Sequence, residues 1–246
     1  MQPDKKQLEI LLIQYFKDCY PDFPKGKIIP SESPDFILTL KSKNSLGIEL
    51  TRLNPLNARE PDEEEVSKIK LRKEIIELTK SLFESTSSLK LFVKFLFSEQ
   101  SPVQLENSVS VAAQLASLIR QIVKGKKNTS FFRQSLSSEN LPDGVESLLV
   151  IHHTELKSSI WERSNNLGIS ENVVTDIERA IYKKDEKLRH YQRQRLNYYW
   201  LLIITDRLRG VKSYNLSERI MNHAFQSRFQ QVFLFDLIRS SIFQLV

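Results

Sequence analysis

Leu8, Leu11, Leu12, Tyr15 and Phe16 recur at helical spacing, which predicts an amphipathic helix over residues 5–18. PDFPKG, at 21–26, breaks it. Two short β-like runs follow, DFILTLKS from Asp35 and LGIELTRL from Leu46, with the polar KSKNS between them as a hairpin connection. LNPLNAREP ends the second run, and Asp62 to Glu84 has the pattern of a charged helix. LKLFVKFLFS (89–98) has the β-branched and aromatic character of a strand, and residues 108–124 return to helical periodicity. ESLLVIHH (146–153) is predicted as a buried strand. The clearest helix spans 171–196, and YYWLLIITD (198–206) follows it as a fully buried strand. A helix from about Ser217 to Arg228 and a strand at QVFLFDLI (231–238) complete the series. Helices alternate with strands after an initial hairpin, which argues for an α/β fold, a mixed β-sheet flanked by helices.

Composition narrows this picture little. The 246 residues are 40% hydrophobic and 27% charged, ordinary for a globular chain able to bury a core. No internal repeat or Gly/Ser-rich linker divides the sequence, so a single domain is expected. No apolar run approaches the roughly 18 residues of a membrane span. MQPDKKQLEI lacks the apolar stretch of a signal peptide, and a cytoplasmic location follows by default. Cys19 is the only cysteine, which excludes an intrachain disulfide and a cysteine-rich zinc site. The net charge of +6 is compatible with a polyanionic partner, because Lys and Arg displace phosphate counterions.

The hairpin carries the candidate chemistry. Side chains alternate along a strand, so Glu49 and Thr51 share a face. With the turn centred near Lys43, Asp35 is expected opposite Thr51 and one diagonal step from Glu49. The two carboxylates would then repel unless a cation neutralised them. A hard divalent ion such as Mg²⁺ (or Mn²⁺) does so with oxygen ligands and retained waters.

A helix, then Pro34-Asp35, then a hairpin into Gly47-Ile48-Glu49-Leu50-Thr51 resembles the opening of the PD-(D/E)xK nuclease superfamily. The resemblance implies a restriction-endonuclease-like core at 1–53 and 171–246, with 54–170 as an insertion. It places the remaining strand of the core near KIIPSE. Asp35 and Glu49 match the acidic positions of the motif. The resemblance further implies a metal-dependent nuclease acting on DNA, with a homodimer as the form in which many relatives cut two strands.

One departure is serious. The motif lysine belongs two residues after Glu49, where this chain has Thr51, left with no more than a hydrogen-bonding part in the site. Either another lysine serves, or the fold binds nucleic acid or protein without hydrolysis. At about 100° per residue, Ile177, Ile181, Leu188 and Tyr191 form one stripe of the 171–196 helix, with Lys184 in its middle. Lys187 lies on the stripe's edge and Lys183 outside it. A lysine on a core-facing stripe needs a carboxylate, a phosphate or a route to water. Lys184 is therefore the first choice for the missing role and Lys187 the second. Lys73 and Lys80 compete if the helix at 62–84 stands beside the site instead.

Weaker signals surround this constellation. Glu9, at the edge of the first helix's apolar face, and Glu32, near Asp35, are candidates for additional acidic groups. His152 and His153 point to opposite faces of a strand and cannot chelate together. Gln194 and Tyr198 match a QxxxY spacing found in one exonuclease branch of the superfamily, at the helix end expected far from the site. No Walker A, GxSxG, HExxH or dinucleotide fingerprint is present.

Overall fold

The computed structural model describes residues 3–53, 62–126, 128–164, 172–191, 196–205 and 216–246. The chain is α/β and divides into two compact units, one of residues 1–11 with 60–165 and the other of 12–59 with 166–246. The insertion expected from the sequence ran from 54 to 170. The units divide at 59/60 and 165/166, and the first eleven residues go with the middle of the chain.

The second unit contains the second half of α1 (Pro3–Cys19), then β1 (Gly26–Pro30), β2 (Phe36–Leu40) and β3 (Ser45–Arg52). In the first unit follow α2 (Glu63–Glu84), β4 (Phe92–Phe97), α3 (Ser108–Val123), β5 (Phe131–Ser137), β6 (Val145–His153) and β7 (Ile160–Arg163). The chain then returns with α4 (Val173–Tyr191), β8 (Tyr198–Thr205), α5 (Leu216–Met221), β9 (Gln231–Asp236) and β10 (Ser241–Gln244).

Alternating elements suggest one sheet, and the described residues form two. The second unit holds a six-stranded mixed sheet in the order β1-β2-β3-β8-β9-β10. Its centre is parallel, β3 with β8 and β8 with β9, and its flanks are antiparallel. Seven consecutive residues of β8, from Tyr199 to Thr205, are buried, as a central parallel strand requires. On one face Tyr199, Leu201, Ile203, Val232 and Leu234 meet the α4 stripe of Val173, Ile177, Ile181, Leu188 and Tyr191. On the other, Tyr15 and Phe16 of α1 pack edge-on against Phe235, and Phe16, Tyr20 and Trp200 surround Phe233.

The first unit has a four-stranded sheet, β5-β6-β4-β7. α2 and α3 cover one face, with Ile75, Phe83, Leu115 and Ile119 clustered on Val93, Phe95, Leu148 and Val150. Asp62 and Glu65 start α2 with a capping box, each side chain bonding the other's backbone N–H. α5 is shorter than the helix expected to Arg228. Past its end, Ser227 Oγ and the Arg228 N–H donate to Asp185 on α4, bonds that hold the chain in a non-helical path.

The hairpin register corrects one expectation. Phe36 pairs with Ile48 and Thr39 with Ser45, so Asp35, just before β2, stands level with Glu49 rather than with Thr51. The Leu40 N–H donates to Asn44 O, and Lys43 takes a left-handed φ of 68°, which centres the turn on Ser42. The strand expected near KIIPSE is β1, ending at Pro30 and paired with β2.

Candidate active site

Glu49 sits on β3 level with Leu201 of β8, on the face that α4 covers. α4 begins where Asn172 Oδ1 accepts the Thr175 N–H, a side-chain cap on an otherwise orphaned donor. His223 bonds Glu178 and the Arg228 N–H bonds Asp185, tying the helix to the segments around it. The stripe at 177, 181, 184, 188 and 191 keeps helical spacing through a charged residue, so Lys184 arrives at the sheet with its apolar neighbours. Gly47, one step from Glu49 on the same face, is required by close approach. An added Cβ would lie 2.7 Å from Pro34 Cγ, 2.9 Å from Leu196 Cδ1 and 3.2 Å from Tyr199 Cδ1.

The polar atoms gather around the Leu50 peptide. Lys184 Nζ donates to Glu49 Oε1 at 2.6 Å and to the Leu50 carbonyl at 3.2 Å. The Leu50 N–H donates to Asp35 Oδ2 at 2.8 Å. Continuing the β2–β3 register would set Leu50 opposite Pro34, which has no N–H to give. A lysine and an aspartate therefore satisfy one strand peptide that the ladder leaves open.

The sequence marks Tyr191 only as part of the apolar stripe. Its ring is buried, and its hydroxyl hydrogen-bonds Glu49. Burial first, then the charge of Glu49, the hydrogen bond to it and the charge of Asp35 push the phenol far above its ordinary value of 10.0. Both carboxylates thus act on one hydroxyl, which locates them together. Tyr199 donates to the Tyr191 carbonyl at 3.0 Å and continues the network into β8. An aromatic on an apolar stripe gives no sequence signal for such a bond; its spacing of seven from Lys184 is the one hint available.

The donor set bears on which metal could be held here. Asp35, Glu49 and the Leu50 carbonyl supply hard oxygens and no nitrogen or sulfur, which suits Mg²⁺ or Mn²⁺ and not zinc. Among the described residues no group of three or more His, Cys, Asp or Glu side chains is placed to hold an ion. Mg²⁺ needs only one or two carboxylates, because it keeps several of its waters. The residues fit a hard, largely hydrated ion.

The other expected residues fall as follows. Thr51 is half-buried, two residues beyond Glu49 and level with Ile203. Glu32 and Lys187 are exposed. Glu9 lies in ion pairs with Lys5 and Lys6 of its own helix. α2 belongs to the first unit, where Lys73 is exposed and Lys80 half-buried. His152 is buried with Nδ1 2.8 Å from the Lys90 carbonyl, while His153 Nδ1 accepts the Glu155 N–H. Gln194 lies outside the described residues. Among the described residues no helix is long and apolar enough to cross a membrane.

No family model, curated protein or solved structure matches this chain.

Proposed function

We propose that this chain is a metal-dependent phosphodiesterase acting on DNA, built on a restriction-endonuclease-like core. The observation that carries the reading is the 2.6 Å approach of Lys184 to Glu49, which brings a cation from α4 to the place where position 51 offers none. Asp35 and Glu49 are the residues that would hold Mg²⁺ or Mn²⁺. Such an ion, when bound, lowers the pKa of a water and offsets charge on a phosphate. Lys184 contributes a second positive charge for the non-bridging oxygens as water attacks phosphorus and the P–O ester bond breaks. Tyr191 holds the Glu49 carboxylate in one orientation, and the Asp35 bond to Leu50 fixes the second carboxylate. The products are a hydroxyl end and a phosphate monoester end.

Incubation of the full chain with duplex DNA and Mg²⁺ or Mn²⁺ tests this directly. Cleavage is expected in the parent and not in Glu49→Gln, which keeps the shape and removes the charge. DNA affinity should fall with salt at a log–log slope of roughly −0.9 per phosphate neutralised, with about three to six contacts. A second reading, a degenerate binding module, is favoured by one feature. Lys184 and Asp35 both satisfy the Leu50 backbone, a structural service that needs no catalysis. Salt-dependent DNA binding without cleavage under either metal would select that reading, and flat affinity would reject a nucleic-acid partner for both and point to a module that binds protein.

A further inference from the structure

A cation bound at Glu49 would meet one already there. The Lys184 ammonium is within hydrogen-bond distance of Glu49 Oε1 and of the Leu50 carbonyl oxygen. A Mg²⁺ ion approaches an oxygen ligand to about 2.0–2.1 Å. Around these two oxygens it would share space with Nζ, and two unscreened positive charges in contact repel strongly. The helix that carries the lysine is tied down through Asp185 and Glu178, so the side chain is the part free to yield. Its 17% exposure leaves a path for the ammonium toward solvent or a bound phosphate.

Resting on the metal-site reading above, we infer that Lys184 and the divalent cation exchange at Glu49. In the metal-free protein the ammonium neutralises the buried carboxylate and keeps the site assembled. An incoming cation takes over that task, and the displaced ammonium becomes available to the scissile phosphate. The lysine is therefore withheld from substrate until the metal is bound, which couples the two requirements of the reaction in one side chain.

The test is Mn²⁺ binding to the full chain without DNA, followed by electron paramagnetic resonance, for the parent, Lys184→Met, Lys184→Arg and Glu49→Gln. Exchange predicts that Lys184→Met binds Mn²⁺ roughly tenfold more tightly than the parent, equivalent to about 1.4 kcal/mol. Lys184→Arg, whose planar fork grips a carboxylate with two bonds, should bind more weakly than the parent. Glu49→Gln should lose the site. Should Lys184→Met fail to fold, the arginine variant decides alone, and binding as tight as the parent's or tighter overturns exchange. Equal affinity in parent, Met and Arg variants, with binding lost in Glu49→Gln, overturns exchange and leaves the metal site standing. Mn²⁺ binding to none of the four overturns both.

Discussion

Each unit buries a lysine against a glutamate, and the two pairs are inverted. In the first unit Lys94 of β4 and Glu162 of β7 are cross-strand neighbours, 2.7 Å apart, with side chains 2% and 25% exposed. In the second unit Lys184 of α4 and Glu49 of β3 are 2.6 Å apart, with side chains 17% and 7% exposed. Depth therefore favours the cation in one pair and the anion in the other. A deep ammonium beside a shallow carboxylate links two strands and presents its negative end to water. A deep carboxylate beside a shallower ammonium, with Asp35 and Tyr191 close by, collects the groups that phosphate chemistry uses. The same two residue types serve cohesion in one case and, on the function proposed above, reactivity in the other.

The inversion predicts opposite costs of mutation. Removing one partner of a buried pair costs about 3–5 kcal/mol when the charge left behind cannot reach water. Lys184→Met takes the ammonium from buried Glu49 and should lose stability on that scale in metal-free denaturant titrations, and Glu162→Gln, which removes one carboxylate partner of Lys94, should lose stability as well. The reverse removals, Lys94→Met and Glu49→Gln, leave the more exposed partner and should cost clearly less. Equal losses in all four would break the comparison. Activity sharpens it next. Lys184→Met, assayed where it is folded, should lower cleavage ~10²–10³-fold. Lys94→Met should cleave DNA as the parent does, and a matching loss there would remove the functional distinction between the pairs.

Gly47→Ala probes the packing under the reactive pair. The new methyl must push back Pro34, Leu196 or Tyr199, so a loss of roughly 1–3 kcal/mol is expected, measured by thermal unfolding. Tyr191→Phe is the mildest change. It removes one hydrogen bond to Glu49, worth about 0.5–1.5 kcal/mol near neutral pH. The phenol's folded value is raised, so its contribution is complete below pH 10.0 and is lost as pH climbs above it. The parent should therefore destabilise more steeply than Tyr191→Phe above pH 10, in unfolding curves recorded across that range.

Much of the second unit can be read from sequence because its signals are local and strong. The α4 stripe keeps one period through Lys184, and the β8 run is apolar without interruption. Such patterns place a helix on a sheet and point one lysine inward. The hairpin register was harder. KSKNS has no glycine to mark the left-handed position, Lys43 occupies it, and the pairing shifts by one residue on each strand. β5 reads FFRQSLS with polar residues on both faces, and β7 and β10 have four residues each, so no alternation could reveal them. Without β5 and β7 the four-stranded sheet could not be recognised. Tyr191 was hidden because an aromatic ring reports burial, while the bond made by its hydroxyl depends on tertiary structure.

Lys184 stands 135 residues after Glu49, and the body of the first unit is synthesised between them. A motif lysine at position 51 would emerge from the ribosome almost together with the carboxylates and could complete a site on the hairpin alone. Here the hairpin is made early and waits for a helix that comes more than a hundred residues later. A nascent or truncated chain ending before α4 carries Asp35 and Glu49 but no Lys184 to face them. If the site acts as proposed, its competence reports that translation has passed the helix and that the interrupted unit has closed on itself, a late checkpoint in the life of the chain.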